Sequence, residues 1–411
     1  MRSIREALDA MMPAFTPRPA ERVGLLDAAG RHLATDLAVR TDAPAFDNSA
    51  MDGYAVRAAE LEDAGEEAPV ELPVAGESRA GGPPPAPLPE GAAMRIFTGA
   101  PLPAGADAVV VQEDTERRGD RVALRFAPKP AHHVRQRGSD LRAGEPLLGA
   151  GAPIGPGAIG LLASQGIGEL DVHRRPRVAL LSTGDELRDL SEPARPGSIV
   201  NSNAYMLAAL VRSVGAEPLV LPRAGDDLDA LTTRVRAGLE ADLLVTTGGV
   251  SVGEYDLVRE AMERAGVEMG FWKIAIKPGK PLAFGAAGAT PVVGLPGNPV
   301  SAFVTFHVFV APGLRRMAGD PAPHLAPRPV RLGDPFRHRP GRTQLVRARL
   351  EDGEDGPVAC LHGRQGSGDL ASIAWADALV VLPGERERFE PGDSVAALPL
   401  RAARAATPAF A

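Results

Sequence analysis

Lys273, Lys277 and Lys280 stand within eight residues of one another, in the run FWKIAIKPGKPLAF. The chain of 411 residues carries 45 basic residues, of which only these three and Lys129 are lysine, the other 41 being arginine. A lysine cluster in an arginine-dominated chain points to chemistry that the planar guanidinium does not supply: a compact ammonium charge set against a phosphate or similar oxyanion. Read as one extended strand, Phe271, Lys273, Ala275 and Lys277 share a face, with Trp272, Ile274 and Ile276 on the other. That geometry puts the Lys273 and Lys277 Cα atoms about 13 Å apart. Pro278 and Gly279 then turn the chain and present Lys280. Three ammonium groups with no acid among them repel one another, and an anionic ligand relieves the repulsion. The competing reading is a set of edge-strand lysines that discourage sheet-to-sheet association. It predicts scattered basic residues of either kind.

A second candidate is the run DLLVTTGGVSVGEYD, residues 242–256. A strand ends at Thr247 and a loop containing Gly248, Gly249, Ser251 and Gly253 leads into a helix. In open α/β sheets ligands bind beyond the carboxyl ends of the strands. Glycines let backbone N–H groups crowd toward an anion, and a helix N-terminus adds its dipole. Thr247 and Ser251 add hydroxyl donors. The Walker pattern and its lysine are missing, which excludes a nucleoside-triphosphatase P-loop. The alternative is a plain strand-to-helix turn.

A third is GLPGNPVSA, residues 294–302. Asn298 reads as a helix N-cap with Pro299 in the first turn. Pro296 and Ser301 complete another strand end on the same rim. Candidate acids follow three strands: Glu186 beside Asp185, Asp226 beside Asp227, and Asp256. Carboxylates beside phosphates commonly hold Mg²⁺ together with waters. Helix capping is the competing role and fits Asp226 and Asp227. The run GPGAIG at 155–160 has no apolar strand before it and no acid about 20 residues on, so it is not read as a dinucleotide site. The eight histidines show no metal-ligand spacing. The single cysteine, Cys360, excludes a disulfide framework and a cysteine zinc site, and reads as an inert thiol.

These groups need elements to position them. Ser3 and Glu6 form a capping-box pattern ahead of a short helix. A second helical pattern is expected over 22–34. Residues 45–137 alternate short valine-rich runs (109–111, 121–126) with turns and a Gly/Pro loop at 81–91, which predicts a small β-rich module. A helix is expected over 158–165 and a short strand after it. From residue 177 strands and helices alternate: strands at 177–182, 219–221, 243–247 and 292–295, helices at 202–214, 226–239, 254–264 and 299–316. This is the pattern of a doubly wound, mainly parallel α/β domain. A proline-rich linker at 321–329 precedes short strands with glycine turns, a small β domain.

A composition of 44% hydrophobic and 24% charged residues is that of a soluble multidomain protein. The net charge of −7 argues against a nucleic-acid partner. The most apolar stretch, 299–310, is too short to span a membrane, and no signal peptide opens the chain. A cytoplasmic protein without a membrane partner is the expectation.

Eight segments resemble one family in their order along the chain: FDNSAMDGYAVR, TGAPLPAGADAVV, GSDLRAGE, STGDEL, NSNAYML, TTGGVSVGEYD, IKPGKP and GLPGNPVSA. The chain is similar to the molybdopterin molybdenumtransferases, that is, the MoeA proteins, the gephyrin E domain and the plant molybdenum insertases. Phe97 departs conservatively from the methionine usual in the family. The resemblance implies a homodimer of four-domain subunits. The domains would be a discontinuous linking domain (1–45 and 138–175), an inserted β-rich module (46–137), the α/β domain (176–320) and a C-terminal β-barrel-like domain (325–402). It implies Mg²⁺-dependent insertion of molybdate into adenylylated molybdopterin, with release of AMP. By motif, Glu186, Asp226, Asp256, Lys273, Lys277, Lys280, Pro296 and Pro299 would line the cleft, and Asp52, Thr98 and Asp140 match positions on the facing module. Ser301, Arg342 and Ser372 are candidate molybdate contacts. An adenylyltransferase of the same pathway and molybdoenzyme apoproteins are implied partners. The sequence does not separate molybdate from tungstate. An adenylyltransferase, which needs a nucleoside triphosphate, and a non-enzymatic scaffold are the rival functions.

Overall fold

The computed structural model describes residues 1–225, 227–249, 257–363 and 365–401. The chain divides into two compact units. The first comprises 1–34, 151–156 and 169–411; the second comprises 35–150 and 157–168.

In the first unit a six-stranded sheet runs in the order Glu217–Val220, Arg177–Ser182, Leu243–Thr247, Thr290–Leu295, Ala283–Ala287, Glu268–Phe271. The first three pairings are parallel and the last two antiparallel. Successive side chains of a strand face opposite sides. Val178 and Leu180 therefore enter one core with the helices Ser202–Ser213 and Pro299–Thr305, while Ala179 and Leu181 enter another with Leu228–Gly238 and Leu257–Arg264. Strands covered on both faces must be apolar throughout, which is why VALLS and LLVTT read as continuous hydrophobic runs. The N-terminal helix Ile4–Met11 has the expected capping box and adds Ala7 and Met11 to the first core. The long expected helix over 299–316 is present but changes pitch: an α-helix to Thr305, a π-helical turn Phe306–Val310, then α-helix Ala311–Met317.

The same unit ends in a barrel. Arg328–Leu332, Thr343–Gly353, Gly356–Leu361, Ala378–Leu382 and Ser394–Pro399 form a ring, closed by pairing of Thr343–Gly353 with Ala378–Leu382. Among the described residues no helix is long and apolar enough to cross a membrane.

The second unit holds a curled six-stranded sheet in the order Ala108–Val111, Gly53–Val56, Ala93–Ile96, Val70–Ser78, Arg121–Leu124, Thr115–Arg118. The two valine-rich strands and the Gly/Pro loop fall where the sequence pattern puts them.

Two expectations fail. Residues 22–34 are not a helix: Ala20–Gly24 is a strand paired antiparallel with Glu169–His173, followed by turns. Its apolar spacing served a short strand, and Gly30 at φ +73° breaks any helix there. Nor is 271–277 one strand. Glu268–Phe271 pairs with Ala283–Ala287, the chain bends, and Ile276–Lys277 pairs in parallel with the barrel strand Thr343–Gly353. The straight-strand spacing of Lys273 and Lys277 therefore does not apply.

Candidate functional site

The carboxyl ends of the parallel strands open onto a cleft of about 430 Å³. Of the anticipated site residues Glu186, Thr247, Gly248, Gly249, Pro296, Asn298 and Pro299 line it. Three strand-end loops meet here because the strands that precede them are adjacent and in register: Ser182 pairs with Thr247, and Thr247 with Leu295.

The glycines are required by close approach. Gly248 has φ +89°, and a Cβ there would sit 2.5 Å from the Thr183 carbonyl oxygen. Gly249 has φ +63° and a Cβ would run into the Val258 side chain. The loop is thus drawn down against the neighbouring strand end and the following helix. Thr247 plays a different part from the one anticipated. Its side chain is buried, and its hydroxyl donates to Ser182 Oγ at 3.2 Å, so it ties two strands together. Ser251, Gly253, Asp226 and Asp256 lie outside the described residues. Asp227 is a helix N-cap, accepting from Ala230 N–H at 2.7 Å.

Glu186 is exposed at the cleft, and its carboxylate folds back over Gly184, where a Cβ would lie 2.7 Å from Oε1. Asn203, not among the candidates above, lines the same cleft. Its Nδ2 donates to the Gly297 carbonyl at 2.7 Å, while its buried Oδ1 has no partner among the described residues. Asn298 occupies the N-cap of Pro299–Thr305 but its side chain makes no cap bond; Nδ2 donates to Ser367 Oγ at 3.1 Å. Ser301 is buried in the first turn of that helix.

The lysines are exposed, and none forms an ion pair among the described residues. Backbone bonds to Arg2 pin the segment that carries them: Arg2 N–H donates to the Lys273 carbonyl and Ala275 N–H to the Arg2 carbonyl. Lys277 lines a second cleft, of about 600 Å³, together with Arg342. Ser372 lies elsewhere, beside a cavity with Cys360 and Trp375. Its hydroxyl donates to the Asp369 carbonyl at 2.6 Å and accepts from Arg347 Nε at 3.0 Å. Ser301, Arg342 and Ser372 are therefore not gathered in one cavity. Arg347 is the larger surprise: 1% exposed, hydrogen-bonded to Ser372 and to the carbonyls of Gln365 and Gly366, with no carboxylate within ion-pair distance among the described residues. Burial lowers its pKa to about 10. Its only sequence signal was an arginine at an inward position of an apolar strand. Burial also pushes the Cys360 thiol up, with Glu351 adding to the effect, in keeping with an inert cysteine.

In the second unit Thr98 donates both its N–H and its hydroxyl to Asp52 Oδ1, each at 2.7 Å. These bonds, led by the backbone one, hold the Asp52 carboxyl below its ordinary range. Asp140 is exposed, its N–H bonded to the Ala43 carbonyl at 3.0 Å.

The arrangement in the first unit is a cleft lined by strand-end loops with Gly248 and Gly249, and Glu186 is the carboxylate among its described lining residues. It suits a long anionic ligand. Mg²⁺ is commonly held by one or two carboxylates plus substrate phosphates, and the exposed Glu186 fits such a ligand set.

Comparison with known proteins finds matches along most of the chain. Residues 2–166 match the MoeA N-terminal region (domain I and II), 179–316 a probable molybdopterin binding domain, and 329–400 the MoeA C-terminal region (domain IV). The chain is 41% identical over 394 residues to molybdopterin molybdenumtransferase 2 of Mycobacterium tuberculosis, covering 93% of this chain and 96% of that protein. It is 39% identical over 393 residues to the molybdopterin molybdenumtransferase of a Nostoc species, covering 92% and 88%. The crystal structure of the molybdopterin biosynthesis MoeA protein from Pyrococcus horikoshii superposes with a TM-score of 0.85 at 30% identity, over 97% of this chain and 99% of that one. The chain belongs to the molybdopterin molybdenumtransferase (MoeA) family, transferases of molybdenum cofactor biosynthesis.

Proposed function

We propose that the protein inserts molybdate into adenylylated molybdopterin, with release of AMP. The observation that carries this reading is the cleft at the strand ends, where Gly248, Gly249, Pro296 and Pro299 present backbone and Glu186 a carboxylate. A nucleotide joined through pyrophosphate to a pterin is long and multiply charged. The glycine loop receives its phosphates through N–H groups, which give direction as well as charge. The exposed ammonium groups of Lys273, Lys277 and Lys280 neutralise the anions, molybdate included, at no cost in broken ion pairs. Asn203 and Asn298 line the same cleft and orient the bound ligand.

Mg²⁺ is the implied cofactor, with Glu186, Asp226 and Asp256 as its protein ligands. When bound it polarises the pyrophosphate for cleavage. The two dithiolene sulfurs of the substrate are soft ligands and displace molybdate oxygens. We assign Asp52, Thr98 and Asp140 to substrate binding as well, and the working unit to a homodimer. Molybdate is not assigned to Ser301, Arg342 or Ser372 individually.

The test supplies adenylylated molybdopterin, Mg²⁺ and molybdate, and follows AMP and protein-bound metal together. The two should rise in step and neither without the other. Consumption of ATP with metal-free molybdopterin, and no AMP from the adenylylated substrate, would instead identify an adenylyltransferase.

A further inference from the structure

The cavity on the C-terminal barrel has a volume of about 450 Å³ and shares no lining residue with either cleft described above. That is the size of a small-molecule site. Ala348, Leu361 and Ala376 give it an apolar lining. Trp375 also lines it, with 53% of its surface exposed, directly after the short helix Leu370–Ala374. An indole left in water at a cavity wall is the side chain that gains most from a flat apolar group laid against it. The His362 ring lines the same cavity, 5.8 Å from the indole and tilted 44° to it, so two rings wall one part of the space.

Charge narrows the ligand. Arg349 lines the cavity from an exposed position on the strand Thr343–Gly353, where the preceding Ala348 enters the barrel core. It stands opposite Cys360 in the antiparallel ladder and forms no ion pair among the described residues. Its planar fork matches a carboxylate in two parallel hydrogen bonds. Two acids stand close by. Asp369 Oδ2 lies 3.6 Å from His362 Nδ1, and Glu351, two residues beyond Arg349 on the same face of the strand, interacts with the Cys360 thiol. These acids offset further positive charge and repel a dianion. One guanidinium beside two ring faces and an apolar lining fits a flat ring that bears a single negative charge.

We propose that this cavity binds an aromatic monocarboxylate, with its ring against Trp375 and its carboxylate on Arg349. The inference goes beyond the molybdate-insertion reading, which gives no task to Arg349, His362 or Trp375. Its test needs no turnover, so the two readings stand or fall separately.

The chain has two tryptophans, Trp272 and Trp375, so the indole N–H region of a ¹H–¹⁵N spectrum of the full chain holds two signals, which Trp272→Phe assigns. 2-Naphthoate should shift the Trp375 signal saturably and leave that of Trp272 in place. 2-Naphthylmethanol keeps the ring without the charge and should bind about tenfold more weakly. Cyclohexanecarboxylate keeps the charge without the flat ring and should bind about fivefold more weakly. Arg349→Gln, at an exposed position, should weaken 2-naphthoate binding about tenfold, while Glu186→Gln should leave it unchanged. Absence of a saturable shift, indifference to Arg349→Gln, or equal binding of the alcohol or of cyclohexanecarboxylate each overturns the proposal. 2-Naphthyl phosphate binding as tightly as 2-naphthoate overturns it in favour of a general anion site.

Discussion

Asn298 Nδ2 donates to Ser367 Oγ at 3.1 Å, and the Val300 N–H just beyond it donates to the Ser367 carbonyl at 3.1 Å. The first turn of the helix Pro299–Thr305 is thus met by a segment nearly 70 residues further along the chain instead of by its own N-cap side chain. Asn298→Ala and Ser367→Ala should each cost about 1 kcal/mol. Together they should cost less than their sum, because each removes the same bond. Urea unfolding of the two single variants and the double variant measures this; strict additivity would mean that the bond is not made in solution.

Glu186 and Gly184 are coupled in a similar way. Gly184 has φ +135°, and a Cβ there meets the Glu186 carboxylate. Gly184→Ala should lower stability by about 1–3 kcal/mol, and it should displace the carboxylate from the cleft. A drop in turnover as large as that of Glu186→Gln is the expected result. Full activity in Gly184→Ala would remove Glu186 from the site.

Lys277→Ala should abolish product while changing stability by no more than about 0.5 kcal/mol, since the side chain is exposed and has no ion-pair partner among the described residues. AMP release and a thermal melt on one preparation check both halves. Normal cofactor output would sink the role of the lysine cluster.

His307 lies in the π-helical turn, packed between the rings of Phe303 and Phe306, with both ring nitrogens shielded and unpartnered among the described residues. Burial, with a smaller contribution from Arg315, pulls its pKa down to about 4. A lowered pKa means that the unfolded chain binds the proton first as pH falls. The His307 contribution is therefore intact above the unfolded value of about 6.5 and is lost as pH drops through 4. The loss is on the order of 3 kcal/mol. His307→Leu should flatten the stability profile between pH 6.5 and 4 in denaturant titrations; parallel profiles for the two proteins would refute the assignment.

Thr98→Val removes one of the two bonds that hold the Asp52 carboxylate, leaving the backbone N–H in place. The Asp52 pKa should rise part of the way to its ordinary value, which a carbon-detected NMR titration of the aspartates resolves. An unmoved pKa would show that the hydroxyl bond contributes nothing.

Much of the architecture was legible in the sequence because it is locally encoded. The strands Arg177–Ser182 and Leu243–Thr247 are apolar runs that can only be buried on both faces, and glycines at positive φ, Gly215 and Gly266, follow the ends of the helices Ser202–Ser213 and Leu257–Arg264. Residues 22–34 misled for the opposite reason. A short strand's apolar positions fit a helical spacing as well as their own, and the partner that decides between them, Glu169–His173, is about 150 residues away.

The site divides along the same line. Residue types and motif order by themselves determined the family resemblance, the glycine loop and the scarcity of lysine, because these depend only on what stands next to what along the chain. Tertiary structure alone decided how those residues are used. It broke the lysine segment into a sheet strand and a barrel-edge strand, so that Lys277 faces Arg342 across a basic cleft. It turned the Thr247 hydroxyl to Ser182, bound Asn298 to Ser367, and buried Arg347 against Ser372. Each of these contacts joins residues far apart in sequence, and a hydrogen bond or an ion pair is set by distance in space, on which local pattern carries no information.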